Sequence, residues 1–409
     1  MSQAGEHVLI LGAGHAGGTA AALLRQYGHQ GPITLVGDEP LPPYQRPPLS
    51  KAWLKGEADA DSLALKPAEF YAEAGIDFRP GVSGVSIGRT AKAVTLSTGD
   101  TVNYDYLILA TGARVIQLKM PGAELGGVLS LRSAADAEAL KAELGPGKRV
   151  AIIGGGYIGL EVAASALALG GSAVVIEREQ RLLARSGSEK IAEFFKGYHE
   201  ARGVRVMLGA SVTGFVGAGG RVTGVHLADG QMIDCDVALV GVGILPNEEL
   251  AAEADLECAR GVVVDLEART ADPSIFAIGD CAFRPLPLYD RMFGPESVPN
   301  ALEQAKQAAS AIVGRAPPAP EVPWNWSDQY DLKLQIAGLP FDVDRVVVRG
   351  DPAAGKFAVF HMKGDQIQQV EAVNAAPEFM AGKQFILNRK LVDPTKLADS
   401  AISMKEVAA

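Results

Sequence analysis

The sequence predicts an α/β protein with two domains built on parallel sheets, followed by a small α+β domain at the C-terminal end. One observation behind this is a strand–turn–helix–strand pattern running from Arg149 to Glu177. Another is the recurrence of that pattern near the N-terminus, from Val8 to Arg25. The third is a proline-rich linker, GRAPPAPEVP, after which the chain turns into short β-rich runs.

The Arg149–Glu177 stretch reads RVAIIGGGYIGLEVAASALALGGSAVVIE. Val150 to Ile153 is a short apolar run bounded by glycine, the signature of a buried strand. Gly154, Gly156 and Gly159 follow in G-x-G-x-x-G spacing, and an Ala/Leu-rich helix comes next, then Gly170. Gly154 allows the tight turn, Gly156 lets the backbone approach a pyrophosphate, and Gly159 lets helix and strand pack closely. A second strand, Ala173 to Ile176, ends at Glu177, whose carboxylate can accept hydrogen bonds from a ribose diol. The unit is therefore Rossmann-like and predicts a bound dinucleotide.

The N-terminal copy reads VLILGAGHAGGTAAALLR. Val8, Gly12, Gly14, Gly17, Ala21 and Gly28 correspond to Val150, Gly154, Gly156, Gly159, Ala163 and Gly170. Further on, at a different offset, Gly99, Asp105 and Gly112 correspond to Gly230, Asp236 and Gly243. Two such units imply two dinucleotides. The first departs at the end of its second strand, Ile33 to Val36, because the acid position holds Gly37 and the carboxylates follow as Asp38 and Glu39.

Taken in order, residues 40–57 read PLPPYQRPPLSKAWLKGE, where the prolines favour a fixed extended loop. Arg46 and Lys51 are its candidate ligand groups, or charges of a rigid surface loop. A helix is expected near Pro67 to Ala74, then short strands ending in YLILATG, where Thr111 and Gly112 offer backbone to a cofactor. Residues 113–146 form a crossover carrying Arg132, and a β-meander is expected from about 204 to 240, before GVGILPN. In IFAIGDCA, Asp280 either binds a ribityl or ribose hydroxyl or caps a turn. Glu296 to Ala309 reads as a helix with Val298 and Pro299 at its start, its free amides aimed at an electron-rich group. A last helix is expected from Pro377 to Asn388.

Length and composition narrow the function. A chain of 409 residues, 48% apolar and 21% charged, has the balance of a globular protein of two or three domains. A net charge of −10 argues against nucleic acid and anionic membrane as partners. Cys235, Cys258 and Cys281 are isolated, so neither a redox disulfide nor a metal site is expected. No signal peptide or membrane span is expected, and a cytoplasmic location is the default.

Spread along the chain are the motifs LGAGHAG, RPPLSK, LILATG, GGGYIGLE, GVGILPN, IGDCA, ESVPNALEQA and WSDQY. Together they resemble the FAD- and NADH-dependent ferredoxin reductases of the putidaredoxin reductase and biphenyl-dioxygenase reductase type, whose fold is like that of glutathione reductase. The resemblance implies an FAD-binding domain over 1–112 and 244–320, an NADH-binding domain over 113–243, and a C-terminal domain over 321–409. It assigns Gly12, Gly14, Ala16 and Gly17 to FAD, with Asp38, Arg46, Thr111, Gly112, Arg132 and Asp280 near it. Val298 and Pro299 would meet the flavin pyrimidine edge, and Trp326 would lie against the ring. Gly154, Gly156, Ile158, Gly159, Glu177 and Gly243 fall to NADH, with Tyr157 covering the nicotinamide pocket. Lys51 would sit near flavin N5 and pair with Glu161. Glu161 also has the place of a first-turn acid stabilised by the helix dipole.

The reaction implied is hydride transfer from NADH to FAD, then single-electron transfer to a [2Fe–2S] ferredoxin that serves a cytochrome P450 or a Rieske-type oxygenase. An NADH oxidase or peroxidase is the nearest alternative, and a flavin-bound redox signalling protein the next. A monomer or weak dimer is expected. Arg284, Arg291, Lys306, Arg315 and Lys333 are the basic residues expected to form a ferredoxin-docking patch, or else solvated surface charges.

Overall fold

The computed structural model describes residues 5–408, which divide into two compact units. One comprises the described residues through Gln45 together with Ala60–Arg114 and Leu245–Asn325. The other comprises Arg46–Asp59, Val115–Ile244 and the described chain from Trp326 onward.

The first unit is built on a five-stranded parallel sheet. Its strand order is Ile275–Ala277, Tyr106–Leu109, Val8–Leu11, Ile33–Gly37, Ile76–Pro80. Alternate side chains of a strand face opposite ways, so Val8 and Ile10 pack under the helices His15–Gln26 and Val298–Ile312. Leu9 and Leu11 pack on Val94, Leu96 and Val102 of a small antiparallel sheet.

The second unit repeats this plan. Its parallel sheet runs Arg205–Leu208, Ser172–Glu177, Arg149–Ile153, Val237–Val240, Val128–Leu129. Val150 and Ile152 face Leu160 and Ala163 of the helix Tyr157–Ala168. Ala151 and Ile153 face Phe215, Val225 and Ile233 of an antiparallel meander. The repeat extends to hydrogen bonds: Asp105 accepts the His7 amide at 2.7 Å, and Asp236 accepts the Arg149 amide at 2.9 Å. A five-stranded sheet, ordered Trp324–Gln329, Leu332–Gly338, Gln366–Val373, Lys356–Lys363, Arg345–Asp351 and belonging to the same unit from Trp326 onward, packs Leu334, Ile336 and Val359 into the core that holds Val150 and Ile152.

Three expectations change. Residues 40–57 are not extended throughout: Pro47–Ser50 is a 3-10 turn and Ala52–Lys55 a helical turn. Proline forbids a helix interior but suits the first turn, where no amide is needed. The meander is confined to Val212–Asp234, because Arg205–Leu208 and Val237–Val240 join the parallel sheet. Arg284 is not a surface charge. It is 1% exposed and its guanidinium is paired with Glu303 at 2.9 Å, as burying a charge demands.

Candidate functional site

Each glycine fingerprint makes a cradle at the carboxyl end of its own sheet. Gly12 and Gly154 have φ of +110° and +108°, and an added Cβ would come within 2.1 Å of Ala110 O and 2.4 Å of Gly241 O. At Gly17 and Gly159 an added Cβ would strike the carbonyl oxygens of Gly12 and Gly154 themselves. Gly14 and Gly156, by contrast, have nothing within 4 Å of that position. They cap His15–Gln26 and Tyr157–Ala168, which have neither a side-chain cap nor an acid in the first turn. The helices Ala134–Glu143, Glu189–Glu200 and Val298–Ile312 are all capped by serine side chains. An open space over uncapped, positively polarised amides is a site for an anion. The residues present therefore fit two pyrophosphates, one in each unit.

At the second cradle Glu177 is held at the strand end. Its Oε2 accepts the Gly155 amide at 2.7 Å and its Oε1 the Glu179 amide at 2.8 Å. Each oxygen keeps a further lone pair for a ribose hydroxyl. Gly155 matters here, because a Cβ there would meet Leu182 at 2.5 Å and Glu177 Oε2 at 3.2 Å. The first cradle reverses this pair. Ala13 replaces the equivalent of Gly155, and a Cβ on Gly37 would be 2.5 Å from the Ala13 methyl. Room given to Ala13 is room denied to an acid at 37. Asp38 is exposed, and Glu39 accepts from Tyr44 OH at 2.6 Å.

The other residues named from the sequence lie in one unit or the other. In the first, Asn247 braces Thr111 and Gly112. Its side-chain amide donates to Thr111 O at 2.8 Å, its backbone N–H donates to Gly112 O at 2.9 Å, and its own carbonyl accepts from Thr111 Oγ1 at 2.8 Å. Asp280 lies in the 3-10 turn Gly279–Cys281, tied down where Gln304 Oε1 accepts the Gly279 amide at 2.8 Å. The Nε2 of buried Gln304 has no protein partner. At Val298 and Pro299 the expected set of free amides is reduced, since Pro299 has none and Ser297 Oγ accepts that of Asn300.

In the second unit Arg46 donates to Arg132 O at 2.6 Å. Tyr157 OH donates to Ser186 O at 3.0 Å, and burial pushes its phenol pKa upward. Gly243, at φ +122°, has the Arg185 guanidinium 2.7 Å from where its Cβ would be. Trp326 is half-buried on the strand Trp324–Gln329.

Lys51 and Glu161 form an ion pair of 2.7 Å with side chains 18% and 2% exposed. Glu161 and Ser165 share a helix face. That face meets the Pro47–Ser50 turn, where Ser165 Oγ donates to Ser50 O at 2.9 Å. The Ser50 hydroxyl donates to Glu161 Oε2, and Ser327 Oγ donates to Oε1 at 2.6 Å. So Glu161 is not a helix-end acid in solvent but a buried carboxylate with a cation and two hydroxyls around it. Asn247, Ser50, Ser327 and Arg185 went unselected in the sequence; only the motifs RPPLSK, GVGILPN and WSDQY around the first three marked them.

The three cysteines are unpaired. Burial pushes the thiols of Cys235 and Cys258 up to about 11 and raises that of Cys281, so none is a thiolate nucleophile at neutral pH. No helix among the described residues is long and apolar enough to cross a membrane.

Residues 6–305 match the pyridine nucleotide-disulphide oxidoreductase family, and residues 324–408 match the reductase C-terminal domain. The probable ferredoxin reductase CtmF of Castellaniella defragrans is 53% identical over 99% of both chains. Putidaredoxin reductase CamA of Pseudomonas putida is 39% identical over 99% of this chain and 97% of its own. Among solved structures, that of a covalent putidaredoxin reductase–putidaredoxin complex superposes with a TM-score of 0.97, covering 99% of this chain and 98% of the other at 39% identity.

Proposed function

The chain belongs to the pyridine nucleotide-disulphide oxidoreductase family, and from that premise we propose that it is an FAD-containing NADH:ferredoxin reductase. The observation that carries this reading is the duplicated cradle, two uncapped helix N-termini at the ends of two parallel sheets, in a chain with no cysteine pair. A disulfide reductase of this fold would need such a pair to relay electrons.

The chain's own residues hold and orient. We assign Gly12, Gly14, Ala16 and Gly17 to the FAD pyrophosphate, with Asp38, Arg46, Thr111, Gly112, Arg132 and Asp280 around that cofactor. Val298, Pro299 and Trp326 go to its ring. Gly154, Gly156, Ile158 and Gly159 go to NADH, with Glu177 accepting its ribose hydroxyls. Gly243 goes to the same cofactor, and Tyr157 covers the nicotinamide pocket. FAD, when bound, takes electrons in pairs and gives them up singly, which an iron–sulfur acceptor requires. Lys51, fixed by Glu161, supplies positive charge where negative charge develops on reduction. The acceptor in this reading is a [2Fe–2S] ferredoxin of an oxygenase system, and the protein works as a monomer or weak dimer. Three free thiols suit the reducing cytoplasm.

The test is NADH consumption by the purified, yellow protein with oxygen alone, with ferricyanide, and with an added [2Fe–2S] ferredoxin. Slow turnover with oxygen and fast turnover with the one-electron acceptors is the expected result. Rapid consumption with oxygen that ferredoxin does not raise would make it an oxidase, and no turnover with any acceptor a signalling protein.

A further inference from the structure

The last residues of the WSDQY segment have no part in the reading above. Alternation along the strand Trp324–Gln329 puts Ser327 and Gln329 on one face, and each is 1% exposed. From the ion pair the contacts run outward without a break. Ser327 Oγ is 2.6 Å from Glu161 Oε1. Gln329 Nε2 is 3.0 Å from Ser327 Oγ. Gln329 Oε1 is 2.8 Å from Nε2 of His199, a fully buried residue on the helix Glu189–Glu200. Tyr330 OH is 3.2 Å from His199 Nδ1. Tyr330 is half-buried, with the Arg202 guanidinium 5.0 Å from its ring.

The chemistry of one end orients every other link. An ionised carboxylate only accepts, so the Ser327 hydroxyl donates to Glu161. Its single proton is then committed, and it accepts from the Gln329 amide nitrogen. That turns the Gln329 carbonyl toward His199, whose Nε2 must carry the ring proton. Nδ1 is left as the acceptor for the Tyr330 hydroxyl. Burial lowers the His199 pKa and keeps the ring neutral, as this tautomer needs. Every donor points toward the carboxylate, and aligned hydrogen bonds strengthen one another in a low-dielectric interior.

We propose that Ser327, Gln329 and His199 are positioning residues, a directional hydrogen-bond chain that holds the Glu161 carboxylate in place and, through it, the Lys51 ammonium at the flavin. The inference rests on the reading of Lys51 as the flavin-side cation. A network of purely structural importance would affect stability and leave the flavin unchanged, which separates the two.

The experiment uses the FAD-loaded protein. Histidine 15N spectra, with His199 assigned by difference against His199→Gln, report the tautomer without altering the chain. Spectroelectrochemical titration gives the flavin midpoint potential, and stopped-flow gives the rate of flavin reduction by NADH. These two are measured for Ser327→Ala, Gln329→Leu, Ser327→Thr and Lys51→Met. Expected are a proton on Nε2 of His199, a lowered potential with roughly tenfold slower reduction in Ser327→Ala, the scale of one hydrogen bond to a charged group, and a smaller change in the same direction in Gln329→Leu. Ser327→Thr keeps the donor and should restore both, and KM for NADH should not move. If Lys51→Met lowers the potential while Ser327→Ala and Gln329→Leu change neither potential nor rate, the chain is structural and the inference fails while the role of Lys51 stands. If Lys51→Met itself shifts nothing, the flavin-side reading fails and takes the inference with it. A His199 proton on Nδ1 would overturn the chain's polarity directly.

Discussion

Lys51→Met should destabilise the second unit more than Glu161→Gln does, although both break one ion pair. The pair is 2.7 Å long, so its Coulomb attraction is about 6 kcal/mol at an effective dielectric constant of 20. Most of that offsets the cost of taking the charges out of water, and the two ends bear that cost unequally. The Glu161 side chain is 2% exposed and Lys51 18%. Removing Lys51 leaves a buried carboxylate with only the Ser50 and Ser327 hydroxyls, and stranding a buried charge costs about 3–5 kcal/mol. Removing Glu161 leaves an ammonium that reaches water and still donates to Pro47 O at 3.0 Å, which should cost about 1–2 kcal/mol. The double variant strands nothing, so its loss should fall short of the sum by about 2–3 kcal/mol. Urea denaturation of the FAD-saturated proteins, followed by far-UV circular dichroism, measures this as shifts in midpoint at constant slope. Equal losses for the two single variants, or strict additivity in the double, would refute the argument.

Four further outcomes are expected. Glu177→Ala should erase most of a preference for NADH over NADPH worth about 2–4 kcal/mol in kcat/KM, the cost of lost hydrogen bonds to a charge plus repulsion of a 2′-phosphate; Arg178 does not compensate, since it is turned to Glu179 at 3.1 Å. Glu303→Ala should destabilise the first unit by about 3–5 kcal/mol by stranding the buried Arg284 guanidinium, read by thermal unfolding against Glu321→Ala at the half-exposed pair with Lys306, which should cost under about 1 kcal/mol. Burial holds His29 and His199 below the ordinary value of 6.5, so the unfolded chain binds more protons below that pH and stability falls as pH drops from 6.5 toward the folded values; a denaturation series should show a shallower acid slope in His199→Gln. Arg291→Glu combined with Lys306→Glu should raise KM for an acidic ferredoxin and leave KM for NADH alone, and ferredoxin reduction should slow as salt rises, screening having a range of about 8 Å at physiological ionic strength.

Local sequence determined whatever depends on spacing along one stretch. The paired fingerprints, their helices and strands, and the acid at Glu177 are legible because a turn of positive φ, a close backbone approach and an uncapped helix all leave marks within a few residues. Tertiary structure decided what depends on the partner. Gly37 lacks an acid because the Ala13 methyl fills the space, a contact between residues on different elements. Arg284 reads as a surface cation and is instead buried against Glu303. His199 gives no local sign of its role: it lies on an amphipathic helix far along the chain from Gln329, and only folding brings the ring within 2.8 Å of that amide. Hydrophobic periodicity records which face is buried, but not which polar groups meet there. Those meetings follow from how strands and helices from distant segments pack, and a buried polar group takes whatever donor or acceptor that packing supplies.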